Sequence, residues 1–406
     1  GEDPPIFVGD KQAWWVMNDW AAQESNHFWM TEPLGLETQV LVYTRDDDPI
    51  YENVQFHRVT MINKGGQTIE DAYFSHWTDS DLGDATDDYV GCDTTLDLGY
   101  TYNGTISDQQ YGVTPPAAGY TFLLGPLIES IGDTVSYDEK AYPNHRSLGM
   151  TAFVKYTGSD NNFGDPENAT EAFNNMQGLR SDGDPYYEFR DPSQGTTPFL
   201  YPGDPATRNG WTEYDDAPVG DRRLFMSSGP FQMQPWDDVN GNGLADFGEP
   251  GVQVIHSAWV IVDGANHLDA ITNLKYVTRK TKASFDTNFE VFAMVTPQLT
   301  ASEHDQEIIL NWHEGADEYE STTYRSYEFE GYNLFQGASA SGPWTRLATF
   351  DKVNQIGTIY DQQYDAHGYL GTRTVQWGQD AGLEHIISIQ RDTLNGGEPL
   401  VNNKQY

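Results

Sequence analysis

The chain has 406 residues, of which 37% are hydrophobic and 13% aromatic, and this composition excludes an intrinsically disordered protein. Acidic residues outnumber basic residues by 62 to 22, which gives a formal net charge of −40. Because phosphate groups are recognised by lysine and arginine, this charge argues against nucleic acid as a partner. No apolar run approaches the roughly 20 residues that span a bilayer, so no transmembrane segment is expected.

β-Strands are predicted along most of the first two thirds of the chain. β-Branched and aromatic residues alternate with polar residues there, and Gly, Asp, Asn and Pro separate the segments. The spacing indicates a mainly β fold, with antiparallel β-sandwich domains and a few helices. The predicted strands are Leu36–Tyr43, Val54–Ile62, Ile69–Trp77, Thr95–Tyr102, Tyr120–Leu124, Gly149–Tyr156 and Val252–Val262.

Two helices are predicted, one between the last two of these strands and one after them. Glu167–Met176 follows Asp165-Pro166, a suitable cap and first-turn proline. His267–Phe285 has apolar residues at a spacing of three to four and basic residues near its end. Residues 181–222 are dense in Gly, Pro, Asp and Tyr and predict a long irregular loop, of the kind that is usually functional or stabilised by a ligand.

A twelve-residue segment, Asp238–Glu249, matches the calcium loop of EF-hands at every defined position. A hard cation needs many oxygen ligands and a sharp turn, and Gly243 occupies the turn position. Calcium is therefore the predicted cofactor. The predicted ligands are the side chains of Asp238, Asn240, Asn242, Asp246 and Glu249 and the carbonyl oxygen of Leu244.

The sequence around this loop does not fit a calcium sensor, in which a helix flanks each side. Phe231–Trp236 alternates like a strand, and Pro250-Gly251 prevents a helix from following Glu249. We therefore expect a structural role in a connection between two strands. The alternative interpretation is a solvated Asn/Gly/Asp turn without metal.

A second acidic cluster follows the predicted strand that ends at Trp77. Five carboxylates this close repel each other unless a cation or solvent screens them, so a second calcium site is predicted, with a solvated loop as the alternative. The candidate ligands are Asp79, Asp81, Asp84, Asp87 and Asp88.

Catalytic motifs are missing from the sequence: it has no HExxH, no G-x-S-x-G and no GxxxxGK[ST] segment. This favours a protein without enzymatic activity. A hydrolase that uses acidic residues of the 79–93 or 181–216 segments remains an alternative, with Asp182, Asp184, Asp215 and Asp216 as weaker candidates. The single cysteine, Cys92, excludes an internal disulfide, and we expect it to be buried and unreactive.

The start of the chain is rich in aromatic residues, with Trp14, Trp15, Trp20, Phe28 and Trp29. We expect these rings to pack onto the sandwich, because they bury a large apolar area. An exposed platform for sugars, or a surface for self-association, is the alternative. Asn103-Gly-Thr105 and Asn168-Ala-Thr170 also fit the glycosylation sequon, which by itself predicts little.

A domain boundary is predicted near Pro297, which separates residues 1–296 from residues 297–406. The second part resembles a fibronectin type III module: Trp312 and Tyr332 mark its second and third strands, and Leu400–Tyr406 resembles the approach to the penultimate strand. A sandwich without its last strand has an open edge. We therefore expect the natural chain to continue, or a partner to supply that strand.

Residues 1–296 resemble a type of large bacterial surface protein that the type IX system secretes and that carries a fibronectin-like module and a sorting domain. The matching segments are Pro33–Glu37, Asn63–Gly65, Trp77–Asp84, Asp87–Thr95, Tyr102–Gly104, Pro115–Tyr120, Ser228–Phe231 and Asp286–Phe289. The resemblance implies export to the cell surface, and it implies no catalytic residues.

These observations favour a secreted, extracellular, calcium-stabilised structural or adhesive protein. Assembly with itself into a fibre or layer is a specific version of this hypothesis. The alternatives are a carbohydrate-binding module of a larger secreted enzyme, which would bind surface glycans, and the acidic-residue hydrolase.

Overall fold

The computed structural model describes residues 9–20, 31–45, 49–138, 140–158, 163–286, 289, 298–316, 320, 323–324, 327–337, 344–364, 370–404 and 406. Two compact units are present, the first formed chiefly by residues up to Phe289 and the second by later residues. The predicted boundary at Pro297 lies outside the described residues. Antiparallel strands dominate both units, so the predicted mainly β fold class is confirmed. No helix in the described ranges is both long enough and apolar enough to cross a membrane.

The first unit holds the calcium-loop segment and both α-helices of the described chain. The helices are α1 (Ala169–Met176) and α2 (His267–Asp286). The strands are β1 (Lys11–Asn18), β2 (Leu36–Thr44), β3 (Val54–Asn63), β4 (Ile69–Asp79), β5 (Asp88–Asp93), β6 (Leu98–Asn103), β7 (Ala117–Leu124), β8 (Leu127–Tyr137), β9 (Lys140–Ser147), β10 (Ala152–Tyr156), β11 (Tyr186–Tyr187), β12 (Thr196–Thr197), β13 (Arg223–Met233) and β14 (Val252–Val262).

Two sheets of this unit pack face to face as a sandwich. One has the strand order β1-β2-β3-β14-β7-β6-β5, and the other has the order β10-β13-β4. Side chains alternate between the two faces of a strand, so every second residue points into the space between the sheets. The apolar cluster there joins Val90, Phe122 and Ile255 of the large sheet to Phe153 and Met226 of the small one.

Each sheet carries a helix on its outer face. Along β4, Phe74 meets Phe122 of the large sheet, so its neighbour Tyr73 must point outward, where its ring meets Phe173 of α1. Helix α2 covers the large sheet and buries an apolar stripe, Ala270, Ile271, Leu274 and Val277. Near its end, Lys282 donates to Asp97 and to the carbonyl of Phe122, at 2.8 and 2.7 Å, which fixes α2 to the sheet.

The predicted cap of the first helix was wrong. The N-cap of α1 is Asn168, whose side chain accepts a hydrogen bond from the Glu171 N–H at 3.1 Å. Asp165 lies before the helix and instead pairs with Arg223 at 3.2 Å. The prediction took Pro166 as the first-turn proline and therefore took Asp165 as the cap. The helix begins after Asn168 instead, because an asparagine accepts a hydrogen bond from a free N–H group of the first turn as well as an aspartate does.

The irregular loop predicted over residues 181–222 covers β5, the outermost strand of the large sheet. Unpaired backbone groups of β5 find partners in this loop: Cys92 N–H donates to Tyr201 O at 3.1 Å, and Val90 N–H donates to the Glu213 carboxylate at 2.7 Å. Because an open edge strand can recruit other chains, the loop has a structural role here. Cys92 is fully buried as predicted, and burial raises the pKa of its thiol.

The second unit is a set of small antiparallel sheets. Its strands are β15 (Thr300–His304), β16 (Glu307–Asn311), β17 (Thr323–Tyr324), β18 (Tyr327–Glu328), β19 (Gly331–Gly337), β20 (Trp344–Asp351), β21 (Thr358–Tyr364), β22 (Leu370–Trp377), β23 (Ile386–Ile389), β24 (Arg391–Asp392) and β25 (Glu398–Pro399). β16 pairs with β15 and β23, and the Trp312 ring that follows it lies 5.8 Å from Tyr332 of β19. The described residues of Leu400–Tyr406 form no strand.

Candidate metal centres

The Asp238–Glu249 loop connects β13 to β14 and therefore crosses from one sheet of the sandwich to the other. Asp238 organises its first half, because its carboxylate accepts hydrogen bonds from the N–H groups of Gly241, Asn242 and Gly243, the shortest at 2.8 Å. Gly241 and Gly243 have φ angles of 71° and 77°, in the left-handed region that favours glycine. The sequence motif thus forms a tight turn around the Asp238 carboxylate.

The second half of the loop is closed by Asp246 and Glu249. The side-chain amides of Asn240 and Asn242 donate to the same Asp246 oxygen at 2.7 and 2.8 Å, and these bonds lower the pKa of Asp246. Glu249 Oε2 accepts from Trp236 Nε1 and from the Asp246 N–H, each at 3.2 Å. Its other oxygen, Oε1, is buried and has no hydrogen-bond partner.

The side chains of this loop are of the types that bind a hard cation through oxygen. The Asn240 and Asn242 side chains each have an oxygen, which accepts the N–H of Asn242 at 3.0 Å and of Leu244 at 2.7 Å, while their amide nitrogens face Asp246. Asp238, Asp246 and Glu249 do not bring their three carboxylates within 4.8 Å of one another, since only one acidic group in the described chain meets that distance, and it lies elsewhere. The loop thus holds the right oxygens in an open arrangement.

Four contacts tie the loop, and the segment that leads into it, to the rest of the first unit. The Trp236 N–H donates to Asn63 O at 2.8 Å, and the Asn63 side chain donates to Met233 O at 3.0 Å, which fixes the loop to the end of β3. Phe247 packs against Tyr137 and Tyr142, with ring centroids 4.4 and 4.7 Å apart. The loop therefore connects both sheets and the β8–β9 hairpin.

The second predicted cluster is divided by the fold. Asp79 and Asp81 meet Asp221, which lies just before β13, with ligand oxygens within 4.8 Å of one another. All three are exposed, and Arg223 pairs with Asp79 at 3.1 Å and with Asp221 at 3.4 Å. An arginine of the chain itself therefore offsets part of the charge of this triad.

Asp84 belongs to a turn. Its side chain accepts from the hydroxyl and the N–H of Thr86, at 2.7 and 3.0 Å, and these bonds lower its pKa. Its own N–H donates to Asp108 at 2.8 Å, and Asp108 also accepts from the N–H groups of Gln110 and Tyr111. These contacts build the connection between two strands without needing a metal.

Asp87 and Asp88 have a different environment. Asp88 is fully buried at the start of β5; its Oδ2 accepts from the Leu82 N–H at 3.2 Å, and its Oδ1 has no partner. Burial, together with the negative charges of Asp87, Asp81 and Asp108, raises the pKa of Asp88 to about 8, against the lowering effect of the Leu82 N–H. Asp87 also has one buried oxygen, Oδ1, without a partner.

A buried ion network that the sequence did not reveal lies beside the same strand. Glu213, with 0% exposure, accepts from Lys155 Nζ at 2.5 Å and from Arg222 Nε at 2.7 Å. Burial lowers the pKa of Lys155, while Glu213 raises it. Lys155 lies 58 residues before Glu213 in the sequence, and the pairing of β10 with β13 and the position of the covering loop bring the three residues together.

The acidic residues weighed for hydrolysis have structural partners. Asp182 pairs with Arg180 at 2.8 Å, and its other oxygen accepts from the Asp184 N–H at 3.0 Å. Asp215 caps a turn by accepting from the Thr212 hydroxyl at 2.8 Å. Asp216 accepts from the Tyr201 hydroxyl and pairs with Arg190, each at 2.6 Å.

The expected packing of the aromatic start was wrong for the residues that the structure describes. Trp14 and Trp15 lie on β1, at the edge of the large sheet, and are 59% and 43% exposed; Trp20 is 68% exposed. Phe28 and Trp29 lie outside the described residues. Asn103 of the first sequon is fully buried, so it is not accessible to glycosylation in the folded chain.

Comparison with known proteins gives no relative: no protein-family model, no curated protein and no solved structure matches this chain.

Proposed function

We propose that this chain is a secreted, calcium-stabilised structural or adhesive protein of a cell surface. The observation that carries the proposal is Glu249 Oε1, a buried carboxylate oxygen without a partner in a loop that matches the calcium-binding pattern. Burying an unpaired charged oxygen is costly, and a cation in the loop would compensate it. Glu249 occupies the position that usually closes such a loop with both oxygens.

Calcium in this loop would act as a structural clamp. The loop joins β13 of the small sheet to β14 of the large sheet, and Phe247 holds the β8–β9 hairpin. Strands rather than helices flank the loop, so no helix pair is available to open when calcium binds. Binding would stabilise the sandwich by the linkage between ligand binding and folding.

The proposed location at the cell surface rests on the resemblance of residues 1–296 to type IX-secreted proteins and on the composition of the chain. A net charge of −40 suits a medium in which calcium and salt screen carboxylates, and Cys92 offers no disulfide as a substitute for metal. The fibronectin type III-like character of the second unit belongs to the same proposal, since the proteins that residues 1–296 resemble carry such a module.

Thermal unfolding of the chain with calcium and with EGTA tests the clamp. At a calcium concentration of about 100 times Kd, one site adds about 2.7 kcal/mol, which corresponds to a rise of roughly 5–10 °C in Tm. Glu249→Gln keeps the shape of the side chain and should remove one bound calcium per chain together with that part of the rise.

The matched control is Glu129→Gln, the same charge change at an exposed position of β8. It should leave the calcium response unchanged. If wild type and Glu249→Gln bind the same number of calcium ions with equal affinity, the loop is only a turn and the proposed clamp is wrong.

Self-association is the more specific form of this function. β1 lies at the edge of its sheet, and Trp14, Val16 and Met17 are exposed along it. An apolar edge strand can pair with a strand of another copy. Native mass spectrometry at several calcium concentrations tests this form: larger species should appear, and Val16→Lys should suppress them. A strict monomer under all conditions contradicts it.

Glycan binding is a second candidate, favoured by the exposed indole rings of Trp14, Trp15 and Trp20. Aromatic rings bind sugars by stacking on their faces, so Trp14→Ala should weaken any hit on a glycan array. An array without hits removes this candidate and leaves the calcium clamp unaffected.

A further inference from the structure

Three buried side-chain oxygens without hydrogen-bond partners lie where β5 begins and β6 ends. They are Oδ1 of Asp87, Oδ1 of Asp88 and Oδ1 of Asn103. Asp88 and Asn103 are both 0% exposed. A buried oxygen of this kind costs free energy unless it has a partner, so three of them in one place require an explanation.

The fold places these three side chains next to one another. Asp88 and Asn103 are directly opposite in the antiparallel β5–β6 pair, which puts their side chains side by side on one face. Asp87 joins them through Thr105, whose hydroxyl donates to Asp87 Oδ2 at 2.8 Å and accepts from Asn103 Nδ2 at 3.0 Å. The Gly104 N–H also donates to Asp87 O at 2.7 Å.

The hydrogen bonds around the group use its other polar atoms and leave the same three oxygens free. Asn103 spends its amide hydrogens on Thr105, and Asp88 Oδ2 and Asp87 Oδ2 have their own donors. Because Asn103 Nδ2 has two acceptors, the amide orientation is fixed and its oxygen must face away from Thr105. The three free atoms are all hydrogen-bond acceptors when the two carboxyl groups are ionised.

No basic side chain of the described residues forms an ion pair with Asp87 or Asp88. The charged groups that act most strongly on Asp88 are acidic: Asp87, Asp81 and Asp108. A buried carboxyl group is normally paired with a cation, bound to a metal or protonated, and no ion pair of the described residues supplies a cation here. Two carboxylates and an amide oxygen are ligands of the type that hard divalent cations prefer.

We propose that Asp87, Asp88 and Asn103 bind a hard divalent cation, calcium foremost, in a buried site distinct from the Asp238–Glu249 loop. Water and main-chain oxygens complete the six to eight ligands that calcium takes. The proposal extends the stabilising role of calcium, but it stands on different residues. The third proposed ligand, Asn103, comes from the next strand, β6. In the proposed site it takes the place of Asp79, Asp81 and Asp84, which the sequence had grouped with Asp87 and Asp88.

Calcium titration calorimetry and native mass spectrometry of the full chain, first stripped with EGTA, test the site. The set comprises wild type, Glu249→Gln, Asp88→Asn and the double variant. We expect two, one, one and no tightly bound calcium ions, with at least a 100-fold loss of affinity at each altered site. Asp88→Asn should fold in EGTA at least as well as wild type, because asparagine has the same size and replaces a buried carboxyl group that has a single hydrogen-bond donor. Lost binding therefore cannot be attributed to unfolding.

Asn103→Asp separates a ligand from a merely structural residue. A third carboxylate should lower Tm in EGTA, because it adds like charge, and should bind calcium as tightly as wild type or more tightly, because affinity rises with ligand charge. A structural role for the amide alone predicts the first effect without the second.

The outcomes distinguish the two calcium sites. A single calcium ion that Glu249→Gln removes and Asp88→Asn leaves in place overturns the buried site and supports the loop. A single ion that only Asp88→Asn removes supports the buried site and overturns the loop. If calcium and magnesium change the Tm of wild type and of Asp88→Asn by the same amount, Asp88 is a neutral carboxylic acid and the proposed site is wrong.

Discussion

Two fully buried carboxylates lie beside strand β5, and their surroundings are opposite. Glu213 contacts Lys155 and Arg222 and accepts the N–H of Val90, so its charge is compensated within the protein. Asp88, two residues before Val90 in the strand, has one N–H donor and acidic neighbours. Burying a charge is tolerated when a partner compensates it. The comparison shows where the protein supplies that partner and where it does not.

The largest effect is expected from Glu213→Gln. It leaves Lys155 and Arg222 buried without their counter-charge, which should destabilise the first unit by about 3–5 kcal/mol. Urea unfolding monitored by tryptophan fluorescence measures this loss.

Asp88→Asn is the matched variant, because it replaces a buried carboxyl group on the same strand. The pKa of Asp88 is about 8 in the folded chain, so near pH 7 and in EGTA wild type must take up a proton at Asp88 to fold, whereas asparagine needs none. In EGTA the variant should therefore stabilise the unit by about 1–3 kcal/mol. If both variants lose similar stability in EGTA, the two carboxylates are equivalent and the comparison fails.

A smaller, pH-dependent effect is expected from histidines buried without a compensating charge. Burial lowers the pKa of His76 to about 3, that of His57 to about 4 and that of His256 to about 3. Above pH 6.5 these groups are neutral in both states and their contribution to stability is full. As pH falls from 6.5 towards 4, only the unfolded chain takes up the protons, so each histidine should remove about 1.4 kcal/mol per pH unit.

His76→Phe tests one of these three contributions. The His76 ring stacks on Tyr120 at 4.7 Å and its Nε2 is buried without a partner, so phenylalanine keeps the stacking and removes the titration. The slope of unfolding free energy against pH between 6 and 4 should fall by about 1.4 kcal/mol per unit. Equal slopes for wild type and variant would mean that His76 takes up its proton in the folded state.

The elements that the sequence predicted well are those with long regular patterns. The strand predicted as Val252–Val262 and the helix predicted as His267–Phe285 match β14 and α2 to within one residue. β5 was missed because it is six residues long and contains Gly91 and two aspartates, residue types that are depleted in strands. β1 was read as core-packing from its aromatic content, but a strand at the edge of a sheet can leave both faces exposed.

The candidate sites divide in the same way. Asp238–Glu249 is contiguous, so its ligand types could be predicted from spacing alone. The environments of Asn103 and Glu213 depend on strand register and on a loop that folds back over the edge strand. Neither can be predicted from spacing along the chain. The sequence did mark Asn103, as part of a sequon, but the signal that it is buried opposite Asp88 exists only in the β5–β6 pairing.

The smallest expected effect extends the comparison to neutral groups. Ser227 and Ser257 are both buried, but the Ser227 hydroxyl is hydrogen-bonded to that of Ser75 at 2.7 Å, whereas the Ser257 hydroxyl has no partner. Ser227→Ala should cost about 1 kcal/mol, because it breaks a hydrogen bond and leaves Ser75 unsatisfied. Ser257→Ala should be neutral or stabilising by up to about 1 kcal/mol, since it removes a buried group that nothing satisfies. Urea unfolding of the two variants measures both changes in stability. Equal losses of stability would show that the Ser257 hydroxyl has a hydrogen-bond partner in the folded protein. A buried oxygen without a partner would then be a poor guide to a binding site in this fold.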